Sequence, residues 1–131
     1  MSQMYVICPV GTDADFRAKR AILAEIASLY DLISFFPLEH GAGVSTSQLM
    51  GAIADSALVI ADISFERPSC YFELGLAQAV NVPLVLVARL GTRVHQVGDR
   101  TVIFYADLHE YRQIVDRACQ LLVATVAETR R

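Results

Sequence analysis

The chain has 131 residues, room for one domain around one core, and a net charge of −3 with acids and bases interspersed, which leaves no electrostatic footprint for duplex nucleic acid. Its apolar share of 54% and mean hydropathy of +0.42 are high for so small a chain and predict a parallel sheet covered on both faces and a homo-oligomer. No apolar run reaches the ~18 residues of a spanning helix and no basic run precedes the first apolar stretch, so neither a membrane anchor nor a secretory leader is expected, and the expected compartment is the cytoplasm.

Taken in order, Tyr5 to Val10 is an apolar run closed by Pro9 and Gly11, the first and central strand. Gly11-Thr12-Asp13 supplies a turn and a helix cap, and the helix to about Tyr30 buries Phe16, Ile22, Leu23, Ile26 and Leu29. Leu32 to Leu38 gives a second strand, interrupted near its end by Pro37, and His40 to Val44 a flexible loop with Gly41 and Gly43. Ser45 or Thr46 caps a helix to about Asp55 or Ser56.

Leu58 to Ile63 is apolar without alternation, as a strand buried on both faces requires. After the loop Ser64 to Ser69 a helix runs from about Cys70 to Val80, burying Phe72, Leu74, Leu76 and Ala77 in some combination; Gly75 inside it weakens the helix by roughly 1 kcal/mol, which predicts close packing or a close ligand there. Leu84 to Ala88 is the fourth strand, Arg89 to Arg100 a loop, Val102 to Tyr105 the fifth strand, and Glu110 to about Glu128 a closing helix with Ile114, Ala118, Leu121, Leu122 and Thr125 inward and a frayed tail from Thr129 to Arg131. Strands and helices that alternate through short links predict one α/β domain over residues 1–131: a flavodoxin-like (Rossmann-like) three-layer sandwich whose five-stranded parallel sheet has the order 2-1-3-4-5. The switch point between strands one and three then gathers Gly11, Asp62 and Glu73 around one crevice.

Chemistry-bearing patterns are few. Cys8, Cys70 and Cys119 are odd in number and set among apolar residues, as reduced core thiols are, and neither they nor His40, His95 and His109 have metal-ligand spacing, so no metal is expected. His95 and His109 read as surface residues. There is no GxGxxG or Walker A sequence, and no cofactor is expected. Ten of the eleven basic residues are arginines; Arg17 and Arg20, one turn apart, are either solvated helix charges or a grip on phosphate or carboxylate. Glu73 is either a partner of the helix dipole or an acid facing a ligand, and Asp62 either a strand-end cap closed through Ser64 or a site carboxylate. A phosphoacceptor receiver is disfavoured, since no acidic pair directly follows strand one and Lys19 lies on helix one; a flavodoxin is disfavoured by Asp13 and Asp15 where a flavin phosphate would sit.

The run Ala61-Asp62-Ile63-Ser64, then Arg67-Pro68-Ser69 and Tyr71-Phe72-Glu73-Leu74-Gly75-Leu76-Ala77-Gln78-Ala79, resembles the signature of nucleoside 2-deoxyribosyltransferase-like domains, relatives of TIR-like NAD-cleaving domains and nucleotide N-glycosidases. The opening Val6-Ile7-Cys8-Pro9-Val10-Gly11 shares the resemblance, which spans most of the chain. It implies Glu73 as nucleophile or charge stabiliser at a sugar anomeric carbon, and Asp62 as ligand of a sugar hydroxyl or proton donor to the leaving base. It also implies a substrate-binding set of Pro9, Gly11, Arg17, Arg20, Ser64, Arg67 and Tyr71 around a nucleoside or nucleotide. Where relatives carry Asn-Pro-Asn this chain has Arg67-Pro68-Ser69, a guanidinium in place of an amide.

Overall fold

The computed structural model describes residues 2–37 and 45–129; the expected glycine loop from His40 to Val44, the end of strand two at Leu38 and the tail at 130–131 lie outside them. The elements are β1 (Ser2–Ile7), α1 (Phe16–Leu29), β2 (Leu32–Phe35), α2 (Thr46–Ala54), β3 (Leu58–Asp62), α3 (Pro68–Ala79), β4 (Leu84–Arg89), β5 (Val102–Tyr105) and α4 (Leu108–Thr129). All strand pairs are parallel and the sheet order is β2-β1-β3-β4-β5.

Side-chain alternation sends successive residues of each strand into two separate cores. Met4, Val6, Cys8, Leu58 and Ile60 pack with Leu23, Ile26, Val115 and Cys119 of α1 and α4. Tyr5, Ile7, Val59, Ala61 and Ile63 pack with Ile53 of α2 and Cys70, Leu74 and Ala77 of α3. Among the described residues no helix is long and apolar enough to cross a membrane.

Several boundaries shift, each for a local reason. β1 ends at Ile7 because Pro9 brings no ladder donor. α1 starts only after Asp15, since the Asp13 carboxylate turns back to accept from the Asp15 amide at 2.8 Å instead of capping the helix. α3 begins two residues early, with Pro68 preset at its first turn, and α4 begins early because Asp107 accepts from the Glu110 amide at 2.8 Å. Leu29 is 70% exposed, off the stripe of Lys19, Leu23, Ile26 and Ala27. Phe72, Leu121 and Thr125 also face outward, whereas Ser45 makes a full capping box with Gln48 as the helix signal predicts.

Gly75 corrects the packing half of its expectation. It lies on the exposed side of α3, and a Cβ built there meets nothing within 4 Å, so neither packing nor backbone geometry requires glycine. Gly75→Ala is expected to raise stability by about 0.5–1 kcal/mol in urea unfolding; a loss would mean that something contacts this face.

Candidate active site

Asp62 and Glu73 lie close to the carboxyl edge of the sheet, as the sequence predicts, but the alternation that splits the core also splits them. Glu73 falls on the inward stripe of α3 with Cys70, Leu74 and Ala77 and is only 2% exposed. Its Oε1 accepts a hydrogen bond from the Tyr5 hydroxyl at 2.8 Å, and its Oε2, also buried, has no hydrogen-bond partner among the described residues. Burial raises the Glu73 carboxyl above its ordinary range, and the Tyr5 hydrogen bond opposes that rise. Burial and then the adjacent carboxylate push the Tyr5 phenol far up, so it remains a donor. Tyr5 is seated by its β2 register partner Phe35, ring centroids 5.7 Å apart.

Sequence reasoning missed Tyr5. The signal was a hydroxyl-bearing side chain inside an otherwise aliphatic strand, since a buried phenol needs a partner.

Asp62 turns to the opposite face of the sheet, where every hydrogen-bonding direction is occupied. Oδ1 accepts from the Ser64 amide at 3.0 Å and the Ser64 hydroxyl at 2.6 Å; Oδ2 accepts from the Tyr105 hydroxyl at 2.7 Å and from Lys19 Nζ at 3.3 Å. Lys19 donates also to Asp13 and to Tyr105, and its ammonium sits 4.7 Å from the Tyr105 ring centroid. Burial works against the Lys19 charge, but Asp62 and the bonds to Asp13 and Tyr105 hold its pKa above the usual value. Burial, followed by the Asp62 charge, pushes Tyr105 up to about 12. The Ser64 hydroxyl accepts from the Arg89 amide at 2.7 Å, tying in β4.

This network knots the β1–α1 turn to the ends of β3, β4 and β5. Asp62 and Ser64, like Glu73, are buried, and their bonds to one another have the geometry of a strand-end cap closed through Ser64.

The other expected residues scatter around the same edge. Pro9 is buried and Gly11 exposed, with nothing within 4 Å of a Cβ at Gly11. Arg17 and Arg20 are exposed on α1, the Arg20 guanidinium 5.0 Å over the Phe36 ring. Arg67 is the exposed N-cap residue of α3, and Tyr71 is half-buried. The Tyr71 hydroxyl accepts from the His95 amide at 3.0 Å, and its ring stands edge-on to His95 at 5.7 Å. His95 is exposed, as expected, yet partnered: its ring nitrogen meets Glu66. The chain enters α3 through two consecutive left-handed residues, Phe65 (φ 65°) and Glu66 (φ 52°), a conformation that costs of order 1–3 kcal/mol each outside glycine. Such strain persists only where surrounding structure fixes it, here the Asp62–Ser64 turn on one side and the Glu66–His95 contact on the other.

A carboxylate held by one phenol in apolar surroundings, with its second oxygen unpartnered, suits the stabilisation of a positive charge or attack on an electrophilic carbon.

No protein-family model and no curated protein matches the chain. Solved structures do match in fold. The CMP N-glycosidase BcmB of Clostridium botulinum superposes with a TM-score of 0.65 at 17% identity, covering 87% of this chain and 97% of that one. A 2-deoxyribosyltransferase from Leishmania mexicana gives 0.62 at 18% identity, over 88% of this chain and 98% of that one. A 2-deoxyribosyltransferase of Bacillus psychrosaccharolyticus gives 0.61 at 13% identity, over 85% and 90%. The chain therefore has the α/β fold of these enzymes, over nearly their whole length.

Three substitutions test the geometry. Glu73 binds its proton more tightly folded than unfolded, so its contribution to stability is full below the unfolded carboxyl range of ~4.3 and is lost as pH rises through the raised folded value. Tyr5→Phe removes the one donor to the charged form and steepens that loss: urea unfolding should show a deficit of about 1–3 kcal/mol near pH 8 that narrows near pH 5. Lys19→Met strands two buried carboxylates and should cost about 3–5 kcal/mol, against less than about 1 kcal/mol for Asp15→Asn, which breaks only the half-exposed pair with Arg89.

Proposed function

We propose that this protein belongs to the nucleoside 2-deoxyribosyltransferase-like class and breaks the N-glycosidic bond of a nucleoside or nucleotide, with Glu73 as the carboxylate at the anomeric carbon. The observation that carries the reading is Glu73 itself, buried, held by Tyr5 through one oxygen and, among the described residues, unpartnered at the other. The resemblance around Tyr71-Phe72-Glu73-Leu74-Gly75 and the fold shared with an N-glycosidase and two deoxyribosyltransferases support it.

As the C–N bond lengthens, its electron pair leaves with the base, which takes up a proton from water, and the sugar carbon gains oxocarbenium character. Glu73 Oε2 then either stabilises that charge or closes on the carbon as an ester. Water attacking the carbon gives hydrolysis; a second base gives transfer and regenerates the carboxylate. Tyr5 keeps the carboxylate in one rotamer throughout. In this reading Arg67, exposed at the start of α3, faces the polar end of the substrate, and Asp62 maintains the platform without touching the sugar. Pro9, Gly11, Arg17, Arg20 and Tyr71 remain the proposed surround of the substrate.

The test is chromatographic detection of free base after incubation with CMP, other nucleoside monophosphates, ribo- and deoxyribonucleosides, and NAD. Wild type should release base from at least one, and Glu73→Gln should reduce that rate about a thousandfold or more. The acid limb of the rate profile should lie above the ordinary carboxylate range, because the ionised form of a group with a raised pKa is required. Release unaffected by Glu73→Gln would overturn the assignment, and binding without release by either protein would leave a nucleotide-sensing module.

A further inference from the structure

The outer face of α3 carries a row of side chains with a gap at its centre. Tyr71, Gly75 and Gln78 follow at steps of four and three and so share one side of the helix, where Gly75 is exposed and a Cβ would meet nothing within 4 Å. The backbone is therefore bare between Tyr71 and Gln78, which lie ~10 Å apart along the helix axis. His95 and Gln96 form the facing wall of an open pocket of about 500 Å³ over this gap, a size that suits a small molecule. The wall is pinned to α3 and its entry turn: the His95 amide donates to the Tyr71 hydroxyl at 3.0 Å, the His95 ring meets Glu66, and Gln78 Nε2 donates to the Val97 carbonyl at 3.0 Å. A glycine that weakens its helix and serves no contact among the described residues is accounted for by a molecule lying on it.

The lining specifies the ligand. Glu66 and His95 are spent on each other and no lysine or arginine joins them among the described residues, so a phosphate or carboxylate would find no free counter-charge. The rings of Tyr71 and His95 stand at 72° with centroids 5.7 Å apart, a corner of two aromatic walls. Gln78 uses Nε2 on Val97, but its Oε1 and the whole Gln96 amide have no hydrogen-bond partner among the described residues. A primary amide offers a donor beside an acceptor, the pattern that meets the edge of a nucleobase in two bonds. A flat, uncharged ligand with such an edge is a free nucleobase.

We propose that the gap at Gly75 is a binding site for a free nucleobase, which lies over the bare backbone against the Tyr71–His95 corner and is read at its edge by Gln78 and Gln96. Glu73 is on the opposite, inward stripe of α3 and does not line this pocket. The inference therefore does not depend on the proposed cleavage. Tyr71, which the proposed substrate surround also includes, is left unchanged in the test.

The test is an amide chemical-shift NMR titration of the isotope-labelled protein with cytosine, uracil, adenine and hypoxanthine, each compared with its nucleoside monophosphate. At least one base should shift the Gly75 and Gln96 backbone signals and the Gln78 side-chain amide saturably, and its monophosphate should leave them in place. Gly75→Leu fills the gap at an exposed helix position where leucine is the better helix former, so the variant should fold, as thermal melting checks, and should raise the dissociation constant of that base about tenfold or more. Gln96→Ala should weaken binding severalfold. Overturning results are no base that shifts Gly75, binding indifferent to Gly75→Leu, or binding abolished by Glu73→Gln, which would put the base at the other site. Base release by wild type reports on the proposed cleavage separately, and either outcome there is compatible with binding at Gly75.

Discussion

The structure at the carboxyl edge depends on one acid kept from water with a single donor. Water would solvate the Glu73 carboxylate fully, but among the described residues it has the Tyr5 hydroxyl on one oxygen and no partner on the other, with Ile63, Cys70 and Leu74 in the core that Tyr5 joins. Burial disfavours the ionised form, so the site stores unfavourable electrostatic energy that a developing positive charge would release. A purely structural carboxylate would be expected to find several donors, as Asp62 does with four.

That contrast organises the rest of the fold. Asp62 and Glu73 lie eleven residues apart in sequence, within one strand–loop–helix unit, yet the two-residue repeat of β3 and the turn of α3 send them to opposite faces of the sheet. On one face Asp62, Lys19, Asp13, Tyr105 and Ser64 satisfy one another and fix four chain segments. The left-handed pair Phe65 and Glu66 then swings the chain into α3, anchored by that network. The clamp thus sets the origin of α3, and the helical repeat from Pro68 carries Glu73 beneath the sheet against Tyr5. The position of Glu73 therefore follows from a charge cluster on the other face of the sheet, while burial and the Tyr5 hydrogen bond set its protonation.

Much of the architecture was legible in the sequence, because unbroken apolar runs at Leu58 to Ala61 and Leu84 to Ala88 admit few alternatives to buried parallel strands, and short links with right-handed crossovers leave few strand orders. Glu73 stood out as a candidate from its neighbours, Tyr71-Phe72 before it and Leu74-Gly75 after it. The separation of Asp62 from it was not, since both readings of a strand-end aspartate, cap and site ligand, place the same residue at the same point; only the partners that fold against it decide. Tyr5, Lys19 and Tyr105 escaped for a related reason: their partners lie 68, 43 and 43 residues away along the chain, beyond any local pattern. Close packing at Gly75 was not found, because an exposed helical glycine and a packed one look identical in sequence.

The central claim is that Glu73 is a buried, high-pKa acid that responds to a nucleotide or nucleoside. The most direct measurement is a carbon-detected NMR titration of glutamate carboxyls, with the Glu73 signal assigned through Glu73→Gln, in free protein and with the nucleosides and monophosphates added in turn. The account predicts one glutamate titrating clearly above the ordinary range, absent from the variant, whose midpoint and shift change when one of these compounds binds. A Glu73 signal that titrates with the exposed glutamates and stays unmoved by every compound would contradict it.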